Sequence, residues 1–221
     1  MKTKELIRRD WLKWVIIMAP FVLVILKWDS FPERIATHWN MQGEVNDYSD
    51  KMFALLLLPS INIMVYVLFG VLPLLDPKRK NYALFSDKLS AIQIILHLFL
   101  TYVTGITLLV ALGHALNVLL LVQTGVIGFF LVFGNYIGNI RHNYFIGIRT
   151  PWTLANEQVW NLTHRLAAKI WVFVSLVMLP VCLLTRNSSW LFFIYIAILV
   201  LTPSIFSYVK FKELEGLKKG S

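Results

Sequence analysis

Six stretches of the chain, residues 11–28, 52–75, 89–112, 115–140, 166–184 and 190–209, are apolar almost throughout, and most charged residues fall between them. A membrane-crossing helix needs about 20 apolar residues, whereas a barrel strand needs about 10. Each stretch is far longer than a strand and none alternates strictly, so the pattern predicts six spanning helices. Pro59, Pro73, Pro180 and Pro203 lie inside these runs and predict kinks, because neighbouring helices can satisfy the carbonyls that a proline frees. Short connections at Gly113-His114 and at residues 185–189 predict antiparallel helical hairpins. Two connections, 28–51 and 141–165, are long enough to carry structure of their own. No internal repeat of the kind found in many transporters is visible.

Composition removes the soluble alternatives. Of 221 residues, 57% are hydrophobic and 15% charged, against about 25% charged in a soluble domain. Six spans use almost all the apolar sequence, which leaves little for an extramembrane core. The net charge of +9 would suit nucleic acid only if gathered on one face. Here the basic residues lie between apolar runs and read as topology signals. With the N-terminus in the cytoplasm, 17 lysines and arginines fall inside and 4 outside, namely Lys27, Arg34, Lys51 and Arg186. The expected architecture is therefore an all-α polytopic membrane protein with six transmembrane helices and both termini cytoplasmic. The expected modules are residues 1–80, holding the first two spans and the outer loop, and 81–221, holding the other four spans and the inner loop 141–165. After the first run, Trp28-Asp29-Ser30-Phe31-Pro32 lacks a small-residue cleavage pattern. That run reads as an uncleaved anchor, with Lys13 and Lys27 snorkelling from its ends. Cys182 is the sole cysteine, so no intramolecular disulfide can form.

Little in the sequence points to chemistry. His38, His97, His114, His142 and His164 are scattered, and there is no HExxH, no Gly-rich nucleotide loop and no GxSxG. The six runs also lack acidic residues, which removes paired-carboxylate catalysis from the membrane interior. No catalytic residue, cofactor or metal is expected. Among the polar residues within the runs are Asn62, Gln93, His97, Gln123, Thr124 and Asn135. His97 lies about 13 Å along a helix from the inner end of the third span, and an ionisable group at that depth is a functional candidate. The plainer alternative is a neutral imidazole bonded to a facing Gln or Thr. Gly134 and Gly138 form a GxxxG step that permits close helix approach within the bundle.

The inner loop is the most unusual stretch. Thr150-Pro151 is a helix start, with a hydroxyl cap and proline at the first position, and a helix from there is expected to run on into the fifth span. On it Glu157, Trp160, Asn161, His164 and Ala168 would share one face. Such a face suits either an interfacial anchor, with Trp152 and Trp160 at headgroup depth and Arg149 and Arg165 on lipid phosphates, or a docking surface for a partner. The outer loop reads as an extended piece with a turn at Gly43. It is either a lid packed on the helix ends or a ligand contact through His38 and Trp39.

These loops carry a resemblance. Residues 143–154, followed by Glu157, Trp160, Thr163, His164 and Arg165, resemble the signature of the SdpI family, bacterial multi-pass immunity proteins against the sporulation-delaying peptide toxin. Phe31-Pro32 through Ile35, with His38-Trp39 and Gly43, is similar to the membrane domain of unknown function that precedes that signature in longer members. The resemblance implies a bacterial cell membrane location and protection from a secreted peptide that dissipates the proton motive force. It also implies capture of a small winged-helix repressor by the cytoplasmic surface, without direct contact to nucleic acid. The candidate partner-binding residues are Asn143, Gly147, Arg149, Thr150, Pro151, Trp152, Thr153, Glu157, Trp160, His164 and Arg165. On the outer side the candidates are Pro32, His38, Trp39 and Gly43, where a peptide would first meet the protein, and inside the membrane His97. A small-solute or ion transporter, dependent on His97 or Gln123, is the alternative.

Overall fold

The computed structural model describes residues 3–185 and 189–219. Residues 186–188 of the expected fifth connection, with Arg186, lie outside the described residues, as do Lys2 and the side chains of Lys4, Arg8, Arg9, Lys218 and Lys219. In chain order the elements are α1 (Thr3–Leu26), β1 (Arg34–Trp39), β2 (Val45–Asp50), α2 (Lys51–Leu75), α3 (Ser86–Ala111), α4 (Val118–Ile137), α5 (Pro151–Ala155), α6 (Glu157–Thr185) and α7 (Ser189–Lys219). Three-residue-per-turn helix over Arg79–Phe85 leads into α3. Among the described residues five helices are long and apolar enough to cross a membrane: α2, α3 with its lead-in, α4, α6 and α7. The protein is thus mainly helical. Its β-hairpin occupies the outer connection, where an extended piece with a turn was expected.

Two compact units interleave along the chain, Met1–Phe69 with Gln93–Val126, and Gly70–Ile92 with Ile127–Ser221. In the first, β1 and β2 pair antiparallel, with Ile35 opposite Ser49 and Trp39 opposite Val45. The turn between them forms because the Asn40 side-chain oxygen accepts the Gln42 and Glu44 amides at 3.0 and 2.9 Å, while Gly43 takes φ +84°, a conformation that favours glycine. Phe31 and Ile35 pack with Val24, Ala54, Leu55 and Leu108, which binds the hairpin to α1, α2 and α3. The α3–α4 hairpin expected at Gly113-His114 has a defined cause. The amides of Gly113 and His114 donate back to Val110 and Leu109, a Schellman closure with glycine in the left-handed position.

In the second unit the GxxxG step packs α4 on α6. A Cβ on Gly134 would stand 2.9 Å from Val172 Cγ2, and one on Gly138 3.2 Å from Ala168 Cβ. Buried polar bonds join α6 to α7: Trp171 Nε1 donates to the Leu199 carbonyl at 2.9 Å, and Ser175 bonds Tyr195 at 2.8 Å.

One expected element is corrected. The helix that starts at Pro151 does not run on into α6. It ends at Asn156, whose backbone is extended at φ −141°, ψ 119°, and whose side-chain oxygen accepts the amides of Gln158 and Val159 at 2.8 and 3.1 Å. Asparagine here offers the backbone a local alternative to the helix and caps a new one.

Candidate functional site

The segment from 141 to 165 is anchored by a carboxylate just beyond α2. Asp76 is 2% exposed. One of its oxygens accepts the Lys78 amide at 2.7 Å, and the other accepts the Tyr82 hydroxyl and the Tyr144 amide, both at 2.9 Å. Asn143, fully buried, then shapes the loop from within. Its oxygen accepts the Phe145 and Ile146 amides, and its amide donates to the carbonyls of Arg141 and Ile146. Asn81 donates to the His142 carbonyl at 2.7 Å, and the Lys78 ammonium donates to His142 Nδ1 at 2.6 Å. A buried loop without such partners would leave backbone groups unpaired at about 1–3 kcal/mol each.

On this frame stands a column of rings. His142 lies 6.4 Å from Tyr144 and 5.1 Å from Trp160, and Trp160 lies 4.1 Å from His164, all centroid to centroid. Trp160 Nε1 donates to the Ile140 carbonyl at 2.8 Å. His164 Nε2 accepts the Ile148 amide at 2.9 Å, so its proton sits on Nδ1 and is given to the Trp160 carbonyl at 2.8 Å. Gly147 makes the approach feasible: its φ is +124°, and a Cβ there would overlap His164 Nε2 and crowd the Trp160 ring. Burial, then the Lys78 ammonium, hold the His142 imidazole below its ordinary range. Among the described residues its Nε2 closes no hydrogen bond, although the nearby Leu154 carbonyl favours the protonated ring.

Thr150 and Thr153 finish the construction. Thr150 caps α5 in a reciprocal box with Thr153, and Pro151 occupies the first turn. Thr153 donates to the Ile148 carbonyl at 2.8 Å, Thr150 bonds Ser207 of α7 at 2.9 Å, and Trp152 lies 5.0 Å from the Tyr208 ring.

The structure therefore sorts the candidates. Asn143, Gly147, Thr150, Trp152, Thr153, Trp160 and His164 come together as the frame. Arg149, Pro151, Glu157 and Arg165 are exposed, with Arg149 donating to the Tyr144 carbonyl at 3.0 Å. The expected common face of Glu157, Trp160 and His164 divides, because Trp160 and His164 turn fully inward while Glu157 turns out. Trp160 is accordingly not a headgroup anchor. Sequence reading missed Asp76, Lys78, Asn81, Tyr82 and Ser207. The available signal was a lone acid, Asp76, closing an apolar run just before a basic cluster.

In the other unit Lys13 does not snorkel. It is 4% exposed and donates to Asp10 at 2.7 Å and to Gln93 of α3. The second Asp10 oxygen accepts the Tyr66 hydroxyl of α2 at 3.1 Å. A carboxylate thus stands inside α1, two turns beyond its start, where none was expected. His97 is fully buried and donates from Nδ1 to Asn62 at 2.6 Å. Asn62 donates to Thr101, and Thr101 to the Ile16 carbonyl, both at 3.0 Å. The partner of His97 is thus an asparagine rather than the Gln or Thr expected. Among the described residues its Nε2 has no hydrogen-bond partner.

On the hairpin, Pro32 and His38 are exposed, and His38 Nδ1 donates to Asn46 at 2.6 Å. Thr37, His38, Trp39 and Asn40 roof a cavity of about 290 Å³ whose floor includes Leu58, Ile106 and Leu119. Gly43 forms the turn.

Comparison with known proteins agrees with both loops. Residues 139–207 match the SdpI/YfhL protein family, and residues 15–63 match a domain of unknown function, DUF1648. The chain is similar to Immunity protein SdpI of Bacillus subtilis strain 168, with 28% identity over 203 residues that cover 91% of this chain and 95% of that relative. No solved structure matches it. The chain is a multi-pass bacterial membrane protein.

Proposed function

For a chain that carries the SdpI/YfhL signature behind a DUF1648 segment, we propose immunity as its function: it protects its cell from a secreted, membrane-active peptide. The observation that carries this reading is the likeness to an immunity protein along nine-tenths of the chain, with the signature residues gathered into one bonded frame. In this reading α1 is the sixth span and both termini are cytoplasmic, as the bias of basic residues supports. The DUF1648-bearing module at 1–80 presents its hairpin to the outside, and the module at 81–221 presents the ring column to the inside. The buried Asn143, Thr153, Trp160 and His164, with Gly147 between them, hold the shape. The exposed Arg149 and Glu157 meet a cytoplasmic partner, a winged-helix repressor drawn to the membrane when peptide arrives. The role is binding and signalling, without catalysis.

Expression in a peptide-sensitive bacterium tests it. Tolerance rises with the wild-type chain and falls with Asn143→Ala, which removes four bonds to the loop backbone. Arg149→Ala leaves the protein folded and lowers repressor recruitment, read by membrane localisation of a tagged repressor. Unchanged killing with the protein confirmed in the membrane overturns the reading.

A further inference from the structure

Because Gly134 and Gly138 draw α6 close to α4, the two helices leave a shallow groove between them, of about 430 Å³. Gly134, Asn135, Lys169, Val172, Phe173 and Leu176 line it. Its walls are unlike at the two ends. Phe173 and Leu176 are 68% and 55% exposed, an apolar surface suited to an acyl chain. Lys169 lies one turn nearer the start of α6, and Arg165 one turn before that. Both are exposed, and neither makes a hydrogen bond or ion pair with any described residue. One charged end that closes an apolar track of about 10 Å, from Lys169 to Leu176 at 1.5 Å per residue, matches one amphiphile: tail along the track, anionic head at the cations.

We infer that this groove is a binding site for an anionic phospholipid, its phosphate held by Lys169 and Arg165 and one acyl chain lying along Val172, Phe173 and Leu176. Tight helix packing at the glycines creates the channel, and the unpaired cations choose the headgroup. A zwitterionic lipid fills the same channel without that choice.

Full-length protein in nanodiscs of equal phosphatidylglycerol and phosphatidylcholine, analysed by native mass spectrometry, tests this. Each cation near a membrane surface favours an anionic lipid by about fivefold, so the pair gives an enrichment of phosphatidylglycerol among retained lipids of about thirtyfold. Lys169→Gln with Arg165→Gln brings the ratio near one, while Lys169→Arg with Arg165→Lys keeps it. Lys27→Gln, which neutralises a cation of the other unit, leaves it unchanged. Phe173→Ser lowers retention of both lipids alike. Equal retention by the wild type, or enrichment that survives the double neutralisation, overturns the site.

Discussion

Replacing Gly147 by alanine perturbs the ring column at its narrowest point. Two terms add. The backbone at φ +124° is one that L side chains rarely adopt, a strain of about 1–3 kcal/mol. The new methyl would also overlap His164 Nε2, the atom that accepts the Ile148 amide at 2.9 Å. Moving the ring breaks that bond and leaves a half-buried donor unpaired, a further loss of about 1–3 kcal/mol. The expected destabilisation is about 2–6 kcal/mol, measured by reversible unfolding in mixed micelles with tryptophan fluorescence as the signal. Gly147→Ala with His164→Ala separates the terms. Truncating the ring removes the overlap but not the strain, so the double variant loses less than the two single variants summed. Strict additivity, or a Gly147→Ala protein within about 0.5 kcal/mol of wild type, refutes the reasoning.

Two further perturbations follow from other buried groups. Lys13→Met leaves the Asp10 carboxylate held only by Tyr66, and breaking a buried pair in this way removes about 3–5 kcal/mol. Asp10→Asn with Lys13→Met recovers most of that loss in the same unfolding assay, and a double-variant loss equal to the sum of the two single-variant losses would show that the pair is not coupled. For His142, the lowered folded-state pKa means that the folded chain takes up a proton less readily than the unfolded one. Stability is full above the ordinary imidazole value of about 6.5 and declines as pH falls through it toward the folded value. Lys78→Met removes one cause of the lowering, so the ring titrates higher and the decline shrinks. Histidine ring NMR in nanodiscs reads the first effect, and an unmoved titration contradicts it.

Long apolar helices were legible because apolar run length is a property of the sequence alone. Helix boundaries at Gly113 and Thr150 were legible for the same reason: glycine and a Thr-Pro cap act locally. Asn156 is local too, yet its capping competes with an otherwise good helical pattern, and the pattern does not reveal which will win. The buried partners were hidden because they are made by distance in the chain. Asp76 meets Tyr144 and Lys13 meets Gln93 across intervals that carry no periodicity. Snorkelling was the sensible expectation for a lysine three residues into an apolar run. It fails because Asp10, one turn earlier, supplies a countercharge and two other helices supply a hydroxyl and an amide.

The same pair bears on how the chain enters the bilayer. As α1 emerges from the ribosome, neither Tyr66 nor Gln93 has yet been synthesised, so its carboxylate and ammonium have only each other and the headgroup region to turn to. On the reading in which α1 is the sixth span, it can begin insertion alone but reaches its final depth only after the third helix has arrived. Biogenesis then runs partly backwards, with the earliest helix the last to settle.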